Sequence, residues 1–208
     1  LESVRFSYRA LPVLKDIDWA WAEGEQWCCV GPNGAGKSTL AGLVSRQLGH
    51  GSGEIYRSRA LESGATSYVC FEQQKTLCDR DQRLDDSEFR SNARDPGTTV
   101  AAALGAGLDR PESRSWIDRL GIDHILDRGI RFISTGEMRK TLLLRAILEQ
   151  PALLILDSPL DGLDRGSQAA MTGIIEQLLD SGMHILLLQR SLDVIPRGVT
   201  HLLVLDEG

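Results

Sequence analysis

Nine consecutive residues, Gly31-Pro32-Asn33-Gly34-Ala35-Gly36-Lys37-Ser38-Thr39, restrict this chain to a narrow set of folds. They fit the pattern G-x-x-x-x-G-K-[ST]. Glycines at this spacing let a backbone turn direct several N–H groups at one anion. An apolar, strand-like run at 26–30 leads into the turn, and the apolar residues of 40–44 open a helix after it. A phosphate would therefore sit at a helix N-terminus, where unpaired N–H groups and the helix dipole favour negative charge. Lys37 is placed to reach the β- and γ-phosphates of a nucleotide, and the Ser38 hydroxyl to ligate Mg²⁺. Gly31, Asn33, Gly34, Ala35, Gly36 and Thr39 supply the rest of the cradle.

Around this loop the sequence reads as an α/β domain. A chain of 208 residues can bury a full core. Residues 4–18 alternate polar and apolar side chains and predict an antiparallel hairpin. A helix is expected over 38–47, short strands over 53–56 and 67–71, and helices over 98–107 and 113–120. A stronger helical pattern covers 139–148, with Leu142, Leu143, Ala146 and Ile147 on one face. Pro151 stops it. The continuous apolar runs 152–156 and 184–188 have the composition of strands buried on both faces of a parallel sheet. Between them 168–179 reads as a helix, and 202–205 as a last strand. Residues 72–97 are charged and irregular, as a solvated loop would be. Strands alternating with helices indicate a mainly parallel core sheet, with an antiparallel N-terminal part and a helix-rich insert at about 75–135.

Composition removes several alternatives. Lys and Arg number 23 against 29 Asp and Glu, a formal charge of −6. No basic block stands out, which argues against a dedicated nucleic-acid surface. The apolar runs are far too short to span a bilayer. Cys28, Cys29, Cys70 and Cys78 form no C-x-x-C pair and read as reduced, inert residues of a cytosolic protein. The chain opens on Leu1 rather than methionine and reads as a piece of a longer protein.

A second phosphate-site element follows from Leu153-Leu154-Ile155-Leu156-Asp157, an apolar strand ending in a carboxylate. In P-loop enzymes such an Asp holds Mg²⁺ from the end of a neighbouring strand. A strand-end Asp alone would read equally well as a helix cap. Paired with the glycine-rich loop it becomes a metal ligand candidate.

Between the two elements lies Ile133-Ser134-Thr135-Gly136-Glu137, which opens a helix. In isolation Ser134 and Glu137 would be an ordinary capping box. In this order the segment resembles the signature motif, usually LSGGQ, of ATP-binding cassette (ABC) proteins. The resemblance covers nearly the whole chain. Tyr8 matches the adenine-stacking aromatic, Gln73 (or its neighbour Gln74) the Q-loop glutamine, and Asp161-Gly162-Leu163-Asp164 the D-loop. The run 131–143, with Phe71-Glu72-Gln73 upstream, is most similar to tandem-cassette proteins associated with molybdenum transport or photorepair.

This resemblance implies a P-loop ABC ATPase fold with a helical signature subdomain, and ATP and Mg²⁺ as ligands. It implies metal contacts from Ser38, Gln73 and Asp157. It also implies a second cassette as head-to-tail partner, with Ser134, Thr135, Gly136 and Glu137 facing the partner's nucleotide. A separate membrane permease would complete an importer, placing the chain in the cytoplasm against the inner face of the membrane. The sequence departs from the pattern on its hydrolytic side. Ser158 stands where active cassettes usually have the Glu that orients water, and Gln189-Arg190 where they usually have a γ-phosphate-contacting His. Gln73, Ser158 and Arg190 are thus the candidate catalytic positions, with hydrolysis at this site in doubt. A soluble ATP-dependent switch in repair or regulation, binding ATP but scarcely hydrolysing it, is the competing expectation.

Overall fold

In the computed structural model the description covers residues 1–49, 51–70 and 97–208. Gln73, Gln74, Cys78 and all but the last residue of the expected loop at 72–97 lie outside it. Two compact units divide the chain. The first comprises Leu1–Tyr68, Pro151–Pro159 and Ile175–Gly208; the second comprises Val69–Gln150 and Leu160–Ile174.

The first unit carries two sheets. Strands β1 (Glu2–Tyr8) and β2 (Leu11–Ile17) form the expected hairpin, in the register Val4↔Ile17, Phe6↔Leu14 and Tyr8↔Leu11. Arg9 and Ala10 both have positive φ, 46° and 71°, which matches the right-handed twist of the strands they join. Strand β4 (Ser52–Glu54) pairs antiparallel with β1, so the small sheet runs β2-β1-β4. The larger sheet runs β5-β6-β7-β3-β8, built from β5 (Thr66–Cys70), β6 (Leu153–Asp157), β7 (Ile185–Gln189), β3 (Trp27–Val30) and β8 (His201–Val204). The pairs β6/β7, β7/β3 and β3/β8 are parallel. Strand β7 is buried throughout, as its continuous apolar run predicts. Leu153, Ile155, Leu186, Leu188 and Cys29 share one core cluster with Leu14 of β2 and with Leu40 and Leu43 of helix α1 (Lys37–Val44). Burial pushes the Cys28 and Cys29 thiols up to about 12, so both behave as small apolar side chains.

Helix α1 ends earlier than the apolar pattern suggests. Arg46 adopts φ 64°, and the Leu48 N–H turns back to the Gly42 carbonyl at 3.0 Å. Helix α2 (Arg59–Ser63), capped by the Ser58 hydroxyl, has only five residues and no period for a sequence reading to detect.

The second unit is helical. It contains α3 (Val100–Leu104), α4 (Ser113–Leu120), α5 (Thr135–Leu148) and the first part of α6 (Arg165–Asp180). The expected helix at 98–107 is cut at Gly105, φ 62°, and continues as a 3₁₀ turn. Gly121, also left-handed, ends α4. Helices α3 and α4 both pack on α5, burying Val100, Leu104, Ile117, Leu120, Leu144 and Leu148. The Lys140 ammonium donates to the Leu120 carbonyl at 2.8 Å and ties α5 to the end of α4.

Candidate nucleotide site

The glycine-rich loop leaves β3 and enters α1. Gly36 precedes the helix at φ 99°, and a Cβ there would lie 2.7 Å from Leu14 Cδ2 and 3.1 Å from the Val13 carbonyl oxygen. Conformation and space both demand glycine. Gly31 is excluded from bearing a side chain differently: its Cβ would meet the Leu205 carbonyl oxygen at 2.1 Å. The loop is thus clamped between β2 and the chain beyond β8. Asn33, Gly34 and Ser38 are exposed, while Ala35, Lys37 and Thr39 are buried. The Lys37 ammonium, only 6% exposed as a residue, donates to the carbonyls of Gly31 (2.7 Å) and Pro32 (2.8 Å). It is held across the loop in the way a cation held over a phosphate cradle would be.

Asp157 arrives from the end of β6. Ser38 Oγ donates to its Oδ2 at 2.9 Å across 119 residues of sequence. Two of the three oxygen ligands expected for Mg²⁺, Ser38 and Asp157, therefore meet; the third, Gln73, lies outside the described residues. No cluster of three or more His, Cys, Asp or Glu residues that could hold a metal occurs among the described residues. One carboxylate and one hydroxyl beside a phosphate cradle is the donor set that suits Mg²⁺, which keeps waters and phosphate oxygens as its other ligands. Two further hydroxyls reach the same carboxylate: Tyr68 Oη donates to Oδ2 at 2.5 Å, and Ser158 Oγ to Oδ1 at 3.2 Å. Sequence reasoning missed Tyr68. The only trace it leaves is the inside–outside alternation of β5, and nothing in that pattern points to Asp157.

Ser158 sits just past β6 at φ 53°, with its N–H on the Leu188 carbonyl at 2.9 Å. Its side chain is turned to the Asp157 carboxylate. Gln189 ends β7 beside Val30, its residue 7% exposed, and its buried Nε2 has no hydrogen-bond partner among the described residues. Arg190 follows on the surface. Tyr8 closes β1 next to the hairpin turn, 48% exposed, edge-on to Phe6 at 4.9 Å between centroids.

The segment 134–137 lies in the second unit and builds the start of α5. Ser134 Oγ accepts from the Glu137 N–H, while the Glu137 carboxylate accepts from the Ser134 N–H (2.7 Å) and hydroxyl (2.8 Å). The backbone N–H of Ser134, then its hydroxyl, hold the Glu137 carboxyl below the usual carboxylate range. His124 Nε2 stands 3.2 Å from the other Glu137 oxygen. Helix α5 therefore begins at Thr135, four residues before the expected 139. Asp164 caps α6 through the N–H groups of Gly166 and Ser167 and the Ser167 hydroxyl, which starts that helix before the expected 168. The Arg139 guanidinium donates to the Asp161 carbonyl.

The family profile described as ABC transporter matches residues 14–161. The chain belongs to the ABC transporter ATP-binding family. The cassette is 36% identical over 178 residues to the ABC transporter ATP-binding protein ModF of Escherichia coli K12, covering 85% of this chain and 36% of ModF. It is 31% identical over 196 residues to the zinc import ATP-binding protein ZnuC of Pseudomonas fluorescens Pf0-1, covering 94% of this chain and 68% of ZnuC. The cassette thus spans about a third of the length of ModF and about two thirds of that ZnuC. Among solved structures, the ATP-binding cassette MJ1267 superposes with a TM-score of 0.75 at 19% identity, covering all of this chain and 87% of that one. The cassette MJ0796, a dimer bound to ADP and Pi after hydrolysis, gives 0.74 at 16% identity, covering all of this chain and 94% of that one. These superpositions establish the ABC ATPase fold. No helix among the described residues is long and apolar enough to cross a membrane.

Proposed function

We propose that this cassette binds Mg-ATP and couples ATP binding and hydrolysis to the import of molybdate or a related oxyanion through a separate permease. The meeting of Ser38 with Asp157 beside the Lys37 cradle carries this reading. In it the chain is one ABC domain, with a helical subdomain at about 75–135, acting on the cytoplasmic face of a membrane. The loop residues 31–39 take the phosphates and Tyr8 the base. Ser38, Asp157 and Gln73 hold the cation, which when bound neutralises charge on the phosphates. Ser134, Thr135, Gly136 and Glu137 serve the nucleotide of a second, head-to-tail cassette. The length of ModF, well beyond this cassette, supports a tandem partner in one chain. Uptake of labelled molybdate, with Zn²⁺ uptake as the comparison because of the likeness to ZnuC, tests the solute. Loss of molybdate uptake in a Lys37→Ala strain supports the reading; unaffected uptake, or loss of Zn²⁺ uptake alone, overturns the solute.

The engagement of Ser158 with Asp157 favours a second reading, in which this site binds and holds ATP while the opposite site hydrolyses it. In this soluble-switch or asymmetric form, Ser134 and Gly136 serve the partner's site, and Arg190 adds positive charge near the γ-phosphate here. Ser134→Arg then lowers steady-state hydrolysis by the full-length protein more than Ser158→Ala does. The reverse order rules this out.

A further inference from the structure

Asp157 is held by more hydroxyls than cation binding requires. Its Oδ2 accepts from Ser38 and from Tyr68, and its Oδ1 accepts from Ser158. Ser38 is itself an expected ligand: its hydroxyl oxygen would offer a cation a lone pair while its proton stays on the carboxylate. The holds that come from outside the expected ligand set are those of Tyr68 and Ser158. Tyr68 makes the shorter of the two bonds, 2.5 Å against 3.2 Å. It projects from β5, the strand next to β6 in the sheet, so two neighbouring strands set its distance to Asp157. Its half-buried ring packs against the core cluster that contains Ile155 and Leu40. Ring and strand together leave the hydroxyl little freedom.

We infer that Tyr68 is a positioning residue of the cation–nucleotide site, orienting the Asp157 carboxylate for the metal. The inference rests on the reading of Ser38 and Asp157 as the cation pair. A carboxylate turns readily about its last torsion, whose energy profile is broad. A donor fixed on Oδ2 removes that freedom before the cation arrives. Each carboxylate oxygen has two lone pairs, so Oδ2 can keep the tyrosine proton and still face a cation or a cation-bound water. Groups that orient a metal ligand in this way change metal affinity by about 10–100-fold when removed.

The test uses the full-length protein, a fluorescent ATP analogue and Tyr68→Phe, which keeps the ring and its packing and removes only the hydroxyl. The Mg²⁺ concentration that half-saturates the analogue-binding response should rise about 10-fold, the low end of that range. Binding of the analogue without metal should stay unchanged, because Lys37 and the loop act on the phosphates. Mn²⁺ titration followed by electron paramagnetic resonance should show the same weakening directly. A wild-type protein that binds the analogue equally with and without Mg²⁺ overturns the cation site and the inference with it. A Mg²⁺-dependent wild type with an unshifted or tighter Tyr68→Phe variant overturns the inference alone. Equal loss of metal-free binding also overturns it, since the hydroxyl would then be merely structural.

Discussion

Replacing Lys37 with alanine separates the stability of the fold from the stability conferred by nucleotide. The ammonium is buried and makes two bonds, to the carbonyls of Gly31 and Pro32. Losing them costs about 1.5–3 kcal/mol each in gross terms. Burying an ammonium costs several kcal/mol, and the alanine variant is relieved of that penalty. The two nearly offset, so the nucleotide-free variant should melt within a few degrees of the wild type. With nucleotide the outcome differs. At a ligand concentration 100 times Kd, binding adds about 2.7 kcal/mol of stability. A domain of this size gains roughly 2–4 °C per kcal/mol, hence about 5–11 °C for the wild type. Loss of two charge-assisted contacts to phosphate weakens binding by about 100-fold or more. At the same ligand concentration the variant then gains only about 0.4 kcal/mol, or about 1–2 °C. Thermal melts with and without a non-hydrolysable Mg-ATP analogue measure both shifts. A variant that keeps the full ligand-induced shift refutes the phosphate assignment. A variant unstable without ligand refutes the balance drawn for the buried ammonium.

Ser158→Glu in the full-length protein should raise ATP turnover by up to about 10²–10⁴-fold, the worth of a positioned base, if the missing carboxylate limits the rate; equal steady-state rates for both versions refute that. Gly31→Ala should cost about 3 kcal/mol or prevent folding, because the clash is with the backbone oxygen of Leu205; an unchanged denaturation midpoint would contradict the packing. The Glu137 carboxyl lies below its unfolded value, so its contribution is present above about pH 4.5 and lost as pH falls through the lowered folded value. Urea midpoints from pH 6 to pH 3 should show a loss of about 1 kcal/mol at the α5 cap that Glu137→Gln lacks; identical profiles would remove Glu137 as the cause.

The glycine-rich loop and the strand ending in Asp157 are legible because each is local. The loop 31–39 carries its own turn chemistry, and β6 announces itself as a continuous apolar run closed by Asp157. The capping box at Ser134 and Glu137 is equally local, yet the hydrophobic period starts the helix only at 139, because the cap itself carries no period. Helix α1 was drawn too long for the opposite reason. Leu48 continues the apolar pattern, but it does so by folding back under Gly42, where an added Cβ would lie 2.8 Å from Leu48 Cδ1. Tyr68 could not be found at all. Its partner lies 89 residues away, and only the strand order β5-β6 brings the two together.

The position of β3 between β7 and β8 also decides when the site can exist. The loop occupies the first fifth of the chain, but Val30 pairs with Gln189 and Val204, and Gly31 rests on the backbone of Leu205. During synthesis these partners emerge roughly 10–30 s after Lys37, at about 5–20 residues per second. Until then β3 is an apolar strand lacking both neighbours, and its loop has no walls to shape it. On the proposed reading, nucleotide would not template early folding of this cassette; it would select chains in which β8 has already docked. A nascent-chain series ending before and after residue 205 would therefore change from unable to able to bind nucleotide in a single step rather than gradually.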